Sequence, residues 1–239
     1  MIKKLDEINI KWITQILNKR FNIAHQDIKE IIIKNNRKTP VSEVAKIEIK
    51  YNYRNIKLPS SLFIKISKSD LPPELSGVGK MEVDFYKNIA PKLDKNDILD
   101  CYYSNYDKKN KIFNLVFEDL SETHYNTQWP LPPSINNCYK VIDCLAKIHA
   151  RWWDHSDLNG IEKIPDKLKC QKDSKLFFDN NVKKFIKFMD DRLSDKGKEI
   201  IYFCQKNYYI FINRITSHRN ITLIHKDSHF WNFLLPKKK

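Results

Sequence analysis

The sequence predicts an α+β protein in which most of the strands come before most of the helices. Five segments in the first half of the chain have strand-like patterns, and one helical segment lies among them. A parallel doubly wound sheet needs a helix after nearly every strand. From residue 119 onwards, a loop rich in turn formers leads into segments with helical spacing. This order argues against a doubly wound sheet and indicates a strand-rich part followed by a helical part.

The first 118 residues are predicted to form two helices and five strands. The opening helix follows from six apolar residues at helical spacing, which are Leu5, Ile8, Trp12, Ile13, Ile16 and Leu17. Strands are predicted at residues 28–34, 44–51, 61–67, 98–104 and 111–118. Between the third and fourth strands, Phe85, Tyr86 and Ile89 form the apolar side of a short helix at residues 80–93.

The second part of the chain is predicted to be mainly helical. Ser134 caps a helix that runs to about Asp154, and two further helices are expected at about 174–193 and 196–216. The last segment, residues 221–236, has apolar, strand-like ends on either side of a polar centre. That polar centre carries the residues of greatest chemical interest.

Composition limits the classes of function. The formal net charge of +14 would suit a nucleic-acid-binding protein, but the lysines are scattered and the chain has no recognised nucleic-acid-binding motif. The five cysteines have irregular spacings, which favours free thiols in a reducing compartment. No segment approaches the ~20 apolar residues of a membrane helix, and the N-terminus does not resemble a signal peptide. We expect a cytoplasmic protein that binds neither nucleic acid nor a membrane.

His225, Asp227 and Asn232 form the arrangement H-x-D-x-x-x-x-N between two apolar segments. Phosphoryl transfer from ATP needs a carboxylate that accepts the proton of the attacking hydroxyl and an oxygen ligand for magnesium. One short loop can present both, with Asp227 as the base and Asn232 as the metal ligand. The alternative is an ordinary polar turn, in which His, Asp and Asn are also common.

Lys65 and Glu82 form a second candidate pair. Lys65 shares one side of its predicted strand with Phe63, while Glu82 precedes Phe85, Tyr86 and Ile89 at helical spacing and so lies on the apolar side of its helix. A lysine that points inward needs a carboxylate or a phosphate as its partner. The alternatives are an edge-strand lysine that reaches water and a solvated surface glutamate.

Five segments together make the chain resemble the aminoglycoside phosphotransferase and choline kinase-like superfamily, including its ecdysteroid kinase-like branch. The resemblance spans about residues 28–236 and depends on LPSSLFIKIS, MEVDFYKNIAP, LVFEDLS, CLAKIHARWW and LIHKDSHFWNFLL. It implies a protein kinase-like bilobal fold. The expected small lobe, residues 1–118, contains a five-stranded antiparallel sheet and one helix and binds the nucleotide. The expected large lobe, residues 119–239, is mostly helical.

The resemblance also implies roles for individual residues, with ATP and Mg²⁺ as cofactors. Lys65 would bind the phosphates, Glu82 would orient Lys65, Asp227 would be the catalytic base and Asn232 would bind magnesium. His225 would support the catalytic loop.

The segment that joins the lobes and the turn over the phosphates also have expected roles. A hinge at residues 118–120, with Glu118 and Leu120 as its contacts, would hold adenine through its backbone. The phosphate-covering turn, NNRKTPVSE, has no glycine, and Ser42 is its expected phosphate contact.

The implied function is ATP-dependent phosphorylation of a small-molecule hydroxyl. The family's further metal-binding aspartate, some 15 to 20 residues after the catalytic-loop Asn, has no counterpart in this sequence, so we expect a truncated chain with impaired or absent activity. The alternative is a non-catalytic kinase-like nucleotide-binding module or a gene fragment.

Overall fold

The computed structural model describes residues 1–53, 57–68, 70–71, 78–127, 131–158, 167–215, 219–225 and 227–237. The chain divides into two compact units, of which the first contains Met1–Val141 and Ser228–Lys239 and the second contains Ile142–Asp227. The predicted boundary between residues 118 and 119 stays a prediction.

The first unit is built on a five-stranded sheet in which all neighbouring strands are antiparallel. Its strands are β1 (Ile28–Lys38), β2 (Ser42–Tyr51), β3 (Ser61–Ser67), β4 (Cys101–Asp107) and β5 (Ile112–Glu118), in the spatial order β1-β2-β3-β5-β4. With the helices described below, this sheet confirms the predicted α+β class and agrees with a kinase-like fold.

One side of the sheet packs against the N-terminal segment and helix α1 (Ile10–Phe21). The buried side chains of this core are mostly isoleucine and leucine, and they include Ile13, Leu17, Ile47 and Ile64. Asn114 is buried among them because its side chain binds both backbone groups of Ile2: the amide nitrogen donates to the Ile2 carbonyl at 2.9 Å, and the amide oxygen accepts from the Ile2 N–H at 2.9 Å.

The other side of the sheet packs against helix α2 (Val78–Asn88). Val83 lies in a cluster with Phe113, Leu115 and Phe117 of β5. At Gly79 an added Cβ would overlap the ring of Phe113. Only glycine therefore permits this close approach of the helix to the strand.

Two elements of the first unit differ from the predicted bounds. The helix predicted at 80–93 ends at Asn88, and a short 3₁₀ turn, Ala90–Lys92, follows it, because Pro91 cannot donate a helical hydrogen bond. Strand β1 extends to Lys38 through a register shift between Lys34 and Arg37, where Asn35 has a φ of 48°. Asn tolerates this left-handed conformation better than most residues.

The helix predicted from Ser134 is α3 (Ile135–Arg151), and the second unit begins within it. The described residues that follow include three α-helices, which are α4 (Lys167–Met189), α5 (Asp195–Lys206) and α6 (Tyr208–Ile215). The single helix predicted at 196–216 is two helices in the structure, with Asn207 between them. The side chain of Gln205 donates to Asp179 at 2.9 Å, and the rings of Phe178 and Tyr208 are 5.1 Å apart.

The predicted loop after residue 119 contains a two-residue strand, β6 (His124–Tyr125), which pairs with β7 (Leu235–Pro236). A strand this short has no periodicity that a sequence pattern could reveal. In the parts of the chain that the structure describes, no helix is both long enough and apolar enough to cross a bilayer.

Candidate active site

The structure brings Lys65 and Glu82 together. The Lys65 Nζ donates to both carboxylate oxygens of Glu82, at 2.7 and 2.9 Å. Their side chains are 24% and 29% exposed, so the ion pair is largely shielded from water but still accessible from one side. The pair exists because α2 places Glu82 over the sheet face on which β3 presents Lys65.

Apolar side chains surround the ion pair. Val44 of β2 and Leu115 of β5 are the direct neighbours of Lys65 across the sheet, and both are buried. The ring of Tyr86, one helical turn after Glu82, packs on Phe117 with 4.8 Å between centroids. Burial, with a smaller effect of the Glu82 charge, raises the pKa of Tyr86 well above its ordinary range. The phenol therefore stays neutral and adds no charge to the pair.

The expected hinge follows directly from strand β5. Its first residue, Glu118, is bound to Asp100 through two contacts: the Glu118 N–H donates to the Asp100 carbonyl at 2.9 Å, and the Glu118 carboxylate accepts from the Asp100 N–H at 2.8 Å. The Leu120 carbonyl accepts from the N–H groups of Thr123 and His124, at 3.1 and 2.8 Å. Within the described part of the chain, the Leu120 N–H donates to no acceptor.

Asp119, the residue between Glu118 and Leu120, is the centre of a polar cluster that sequence reasoning missed. We call Lys46, Ser61, Asp119 and Ser121 the Asp119 cluster. The Asp119 side chain is only 6% exposed and accepts from Lys46 Nζ at 2.8 Å and from Ser61 Oγ at 2.7 Å. It also accepts from the Ser121 N–H at 2.9 Å and from Ser121 Oγ at 3.1 Å. Only the spacing Asp-x-Ser at 119–121, typical of a local side-chain turn, could have suggested part of it.

The cluster determines the charge of Asp119. Burial by itself would raise the pKa of this carboxyl group, but the hydrogen bonds from Lys46, Ser61 and Ser121 outweigh burial and lower it to about 2. The same contact, a hydrogen bond to Asp119, raises the pKa of Lys46. Both groups are therefore charged at neutral pH.

Ser42 is the first residue of β2 and closes the tight turn that follows β1. Its side chain is fully buried, and its Oγ lies 2.7 Å from the Thr39 Oγ1. The Thr39 N–H also donates to the Ser42 carbonyl at 2.7 Å. The Ser42 hydroxyl thus stabilises its own turn. A phosphate contact from Ser42 stays a prediction, and it requires this turn to open.

Asn232 belongs to the first unit, at the end of the short 3₁₀ helix Phe230–Asn232. Its side chain is exposed, and its Nδ2 lies 3.3 Å from the Nε2 of His229. The Nδ2 of Asn126 donates to the carbonyls of Trp231 and Phe233, each at 3.2 Å. Asn126, a second residue that sequence reasoning missed, therefore holds the backbone on both sides of Asn232.

His225 and Asp227 belong to the second unit, and both side chains are exposed. The segment before them is bound to the end of α3. The Asp154 carboxylate accepts from the N–H groups of Asn220 and Ile221 at 3.1 and 2.9 Å, and the Thr222 hydroxyl donates to the His149 carbonyl at 2.7 Å. These bonds fix the chain three residues before His225.

The residues present fit the cofactors that a kinase uses. Mg²⁺ takes one or two protein oxygens and completes its octahedral shell with water and phosphate oxygens. The side-chain amide of Asn232 has one oxygen that could hold Mg²⁺, and the Lys65 ammonium could bind phosphate oxygens. Among the described residues, no group of three or more His, Cys, Asp or Glu side chains could form an all-protein metal site.

Comparison with known proteins identifies the family. The model of the ecdysteroid kinase-like family matches residues 40–239, which include every candidate residue above. No curated protein and no solved structure matches the chain. Because the family match covers most of the sequence, the chain belongs to the ecdysteroid kinase-like family, within the choline kinase-like and protein kinase-like superfamily.

Proposed function

We propose that this protein transfers the γ-phosphoryl group of ATP to the hydroxyl group of a small molecule. The observation that carries the proposal is the contact of Lys65 with both carboxylate oxygens of Glu82. A kinase needs this arrangement, because the glutamate orients the lysine towards the nucleotide phosphates. Family membership supports the same conclusion at the coarser level of a kinase-like phosphotransferase.

Each step of the reaction is assigned to a residue of this chain. Lys65, oriented by Glu82, binds phosphate oxygens and stabilises the charge that develops on them. Asp227 accepts the proton of the substrate hydroxyl, and His225 supports the loop that carries Asp227. Asn232 would hold Mg²⁺, which when bound neutralises charge on the phosphates.

The nucleotide base is assigned to the hinge at residues 118–120. The Leu120 N–H is the donor for adenine. Glu118 contributes through its backbone, and its contacts with Asp100 fix the start of the hinge. A phosphate contact from Ser42 is the least supported part of this assignment, because the side chain is buried in its turn.

The test compares the wild-type protein with Asp227→Asn in two measurements. The first is transfer of labelled phosphate from ATP to a panel containing choline, a steroid alcohol and an aminoglycoside. The second is binding of ATP with and without Mg²⁺. We expect the variant to lose whatever transfer the wild-type protein shows and to keep ATP affinity, because Asp227 acts on the acceptor hydroxyl. Asp191→Asn, which changes another exposed aspartate, is the control and should change neither.

One observation favours a second candidate, a kinase-like module that binds nucleotide without transferring phosphate. The turn over the expected phosphate site has no glycine and is closed by the Thr39 and Ser42 side chains. ATP with Mg²⁺ would then raise the melting temperature of the wild-type protein, while no acceptor in the panel would be phosphorylated. Absence of any ATP binding would contradict both candidates.

We also propose that the protein acts in the cytoplasm. Support comes from three of its cysteines, because Cys101, Cys138 and Cys204 are free thiols in the structure. Burial raises the pKa of the Cys101 thiol to about 12, so that thiol is unreactive at neutral pH.

A further inference from the structure

We infer that Asp119 is a positioning residue for the nucleotide base, because its carboxylate fixes the hinge backbone around Leu120 to two strands of the sheet. The inference rests on the proposed function, since it concerns how the proposed hinge binds adenine. It assigns a role to a residue that makes no direct contact with the reacting phosphate.

The first step of the argument is the geometry of the Asp119 cluster. Lys46 comes from β2, Ser61 begins β3, and Asp119 and Ser121 follow β5. The Oδ2 of Asp119 accepts from Lys46 and Ser61, while its Oδ1 accepts from the Ser121 N–H. One carboxylate therefore joins the hinge to β2 and to β3.

The second step is the effect on Leu120, which lies between Asp119 and Ser121. The carbonyl of Leu120 already accepts from Thr123 and His124. The carbonyl of the next residue, Ser121, accepts from Lys237 Nζ at 2.7 Å. With the Ser121 N–H bound to Asp119, the two peptide groups that follow the Leu120 N–H have fixed directions. A preorganised donor binds more tightly because less conformational entropy is lost on binding.

The third step concerns Lys46. Lys46 is the cross-strand neighbour of Phe63, so it projects from the same side of the sheet as Lys65, two residues further along β3. The contacts with Asp119 and the Ser121 hydroxyl, at 2.8 and 2.9 Å, hold the Lys46 ammonium at the hinge. The cluster thus neutralises a cation that would otherwise lie unpaired beside the proposed base site.

The experiment measures the affinity of the full chain for ATP with Mg²⁺ and for adenosine, which has the base but no phosphates. Asp119→Asn keeps the shape of the side chain and removes its charge. We expect this variant to bind both ligands about tenfold more weakly, the loss expected for a hydrogen bond between charged groups. Lys65→Met is the comparison, and it should weaken ATP binding and leave adenosine affinity unchanged.

Two additional measurements keep the test decisive if Asp119→Asn folds poorly. Lys46→Met should cause the same loss for both ligands, and combining it with Asp119→Asn should add little, because the two residues form one interaction. Backbone amide exchange at residues 119–121 should become faster in either variant.

The outcomes separate this inference from the proposed function. Unchanged adenosine affinity in Asp119→Asn and Lys46→Met would overturn the inference, and so would a loss confined to ATP. In either case, normal ATP binding by the wild-type protein would leave the proposed function intact. A wild-type protein that binds neither ligand would overturn both.

Discussion

The Lys65 ammonium contacts both carboxylate oxygens of Glu82, and this ion pair joins strand β3 to helix α2. Three quarters of the Lys65 side chain is shielded, whereas the Lys50–Glu30 pair on the same sheet is about half exposed on both partners. Exposed pairs contribute about 0 to 1 kcal/mol. The shielded pair is therefore the one whose loss should affect binding.

Replacement of Glu82 by Gln should weaken ATP binding roughly tenfold to hundredfold, the range expected when a hydrogen bond to a charged group is lost. The physical reason is that Lys65 loses the anion that orients it. Isothermal titration of ATP with Mg²⁺ measures the change.

Glu30→Gln provides the matched control, because it removes the carboxylate of an exposed lysine–glutamate pair and should leave ATP affinity unchanged. Equal effects of Glu30→Gln and Glu82→Gln would show that general charge, and not the orientation of Lys65, determines affinity.

Replacement of Gly79 by Ala should destabilise the protein by about 1 to 3 kcal/mol, the usual cost of overpacking a core. The new methyl group would overlap the Phe113 ring and push α2 away from β5. Because α2 carries Glu82, ATP affinity should fall as well. Urea unfolding measures the stability change.

Gly197→Ala is the control for the helical substitution itself. An added Cβ there meets side-chain atoms only, the flexible end of Leu193 at 2.8 Å and the Ser194 hydroxyl at 3.3 Å, and alanine favours the helix by about 1 kcal/mol. We expect unchanged or slightly higher stability. A similar loss at both glycines would mean that the contact with Phe113 is unimportant.

The α+β class and the five strands could be predicted because alternating and helical patterns are local signals within one segment. The same patterns placed Lys65 inward on its strand and Glu82 on the apolar side of its helix, and the structure brings the two side chains together. Strand and helix ends were less predictable, since Pro91 and Asn35 act through local backbone geometry.

The Asp119 cluster could not be predicted in the same way. Lys46 and Ser61 lie 73 and 58 residues from Asp119 in the chain, and their meeting depends on the strand order. The contact of Asn126 with the backbone beside Asn232 also joins residues far apart in the chain. It depends on the pairing of the two-residue strands β6 and β7. Lysine, serine and asparagine are also common on protein surfaces, so the residue types alone give no signal for these contacts.

Replacement of Asn126 by Ala should reduce the gain in ATP affinity that Mg²⁺ provides, by about tenfold, as is common for residues that orient a metal ligand. The carbonyls on either side of Asn232 would lose the hydrogen bonds that Asn126 donates. ATP binding measured with EDTA should be unchanged. Asn137→Ala, which removes a contact to the Tyr125 hydroxyl, is the control. Equal losses with and without Mg²⁺ would contradict a role at the metal.

Acid should remove the stability that Asp119 contributes. The folded protein lowers the pKa of this carboxyl from 3.8 to about 2, so the folded state binds the proton less readily than the unfolded state does. The contribution is complete above about pH 4 and disappears as the pH falls through about 2. Its full size is about 2 kcal/mol, since one pKa unit corresponds to about 1.4 kcal/mol.

Urea unfolding of the wild-type protein and of Asp119→Asn at pH 5, 4 and 3 measures this contribution. The wild-type protein should be more stable at pH 5, and the difference should shrink by about 1 kcal/mol at pH 3. A difference that stays constant with pH would show that the carboxyl has its ordinary pKa and that the hydrogen bonds from Lys46 and Ser61 do not stabilise its charge.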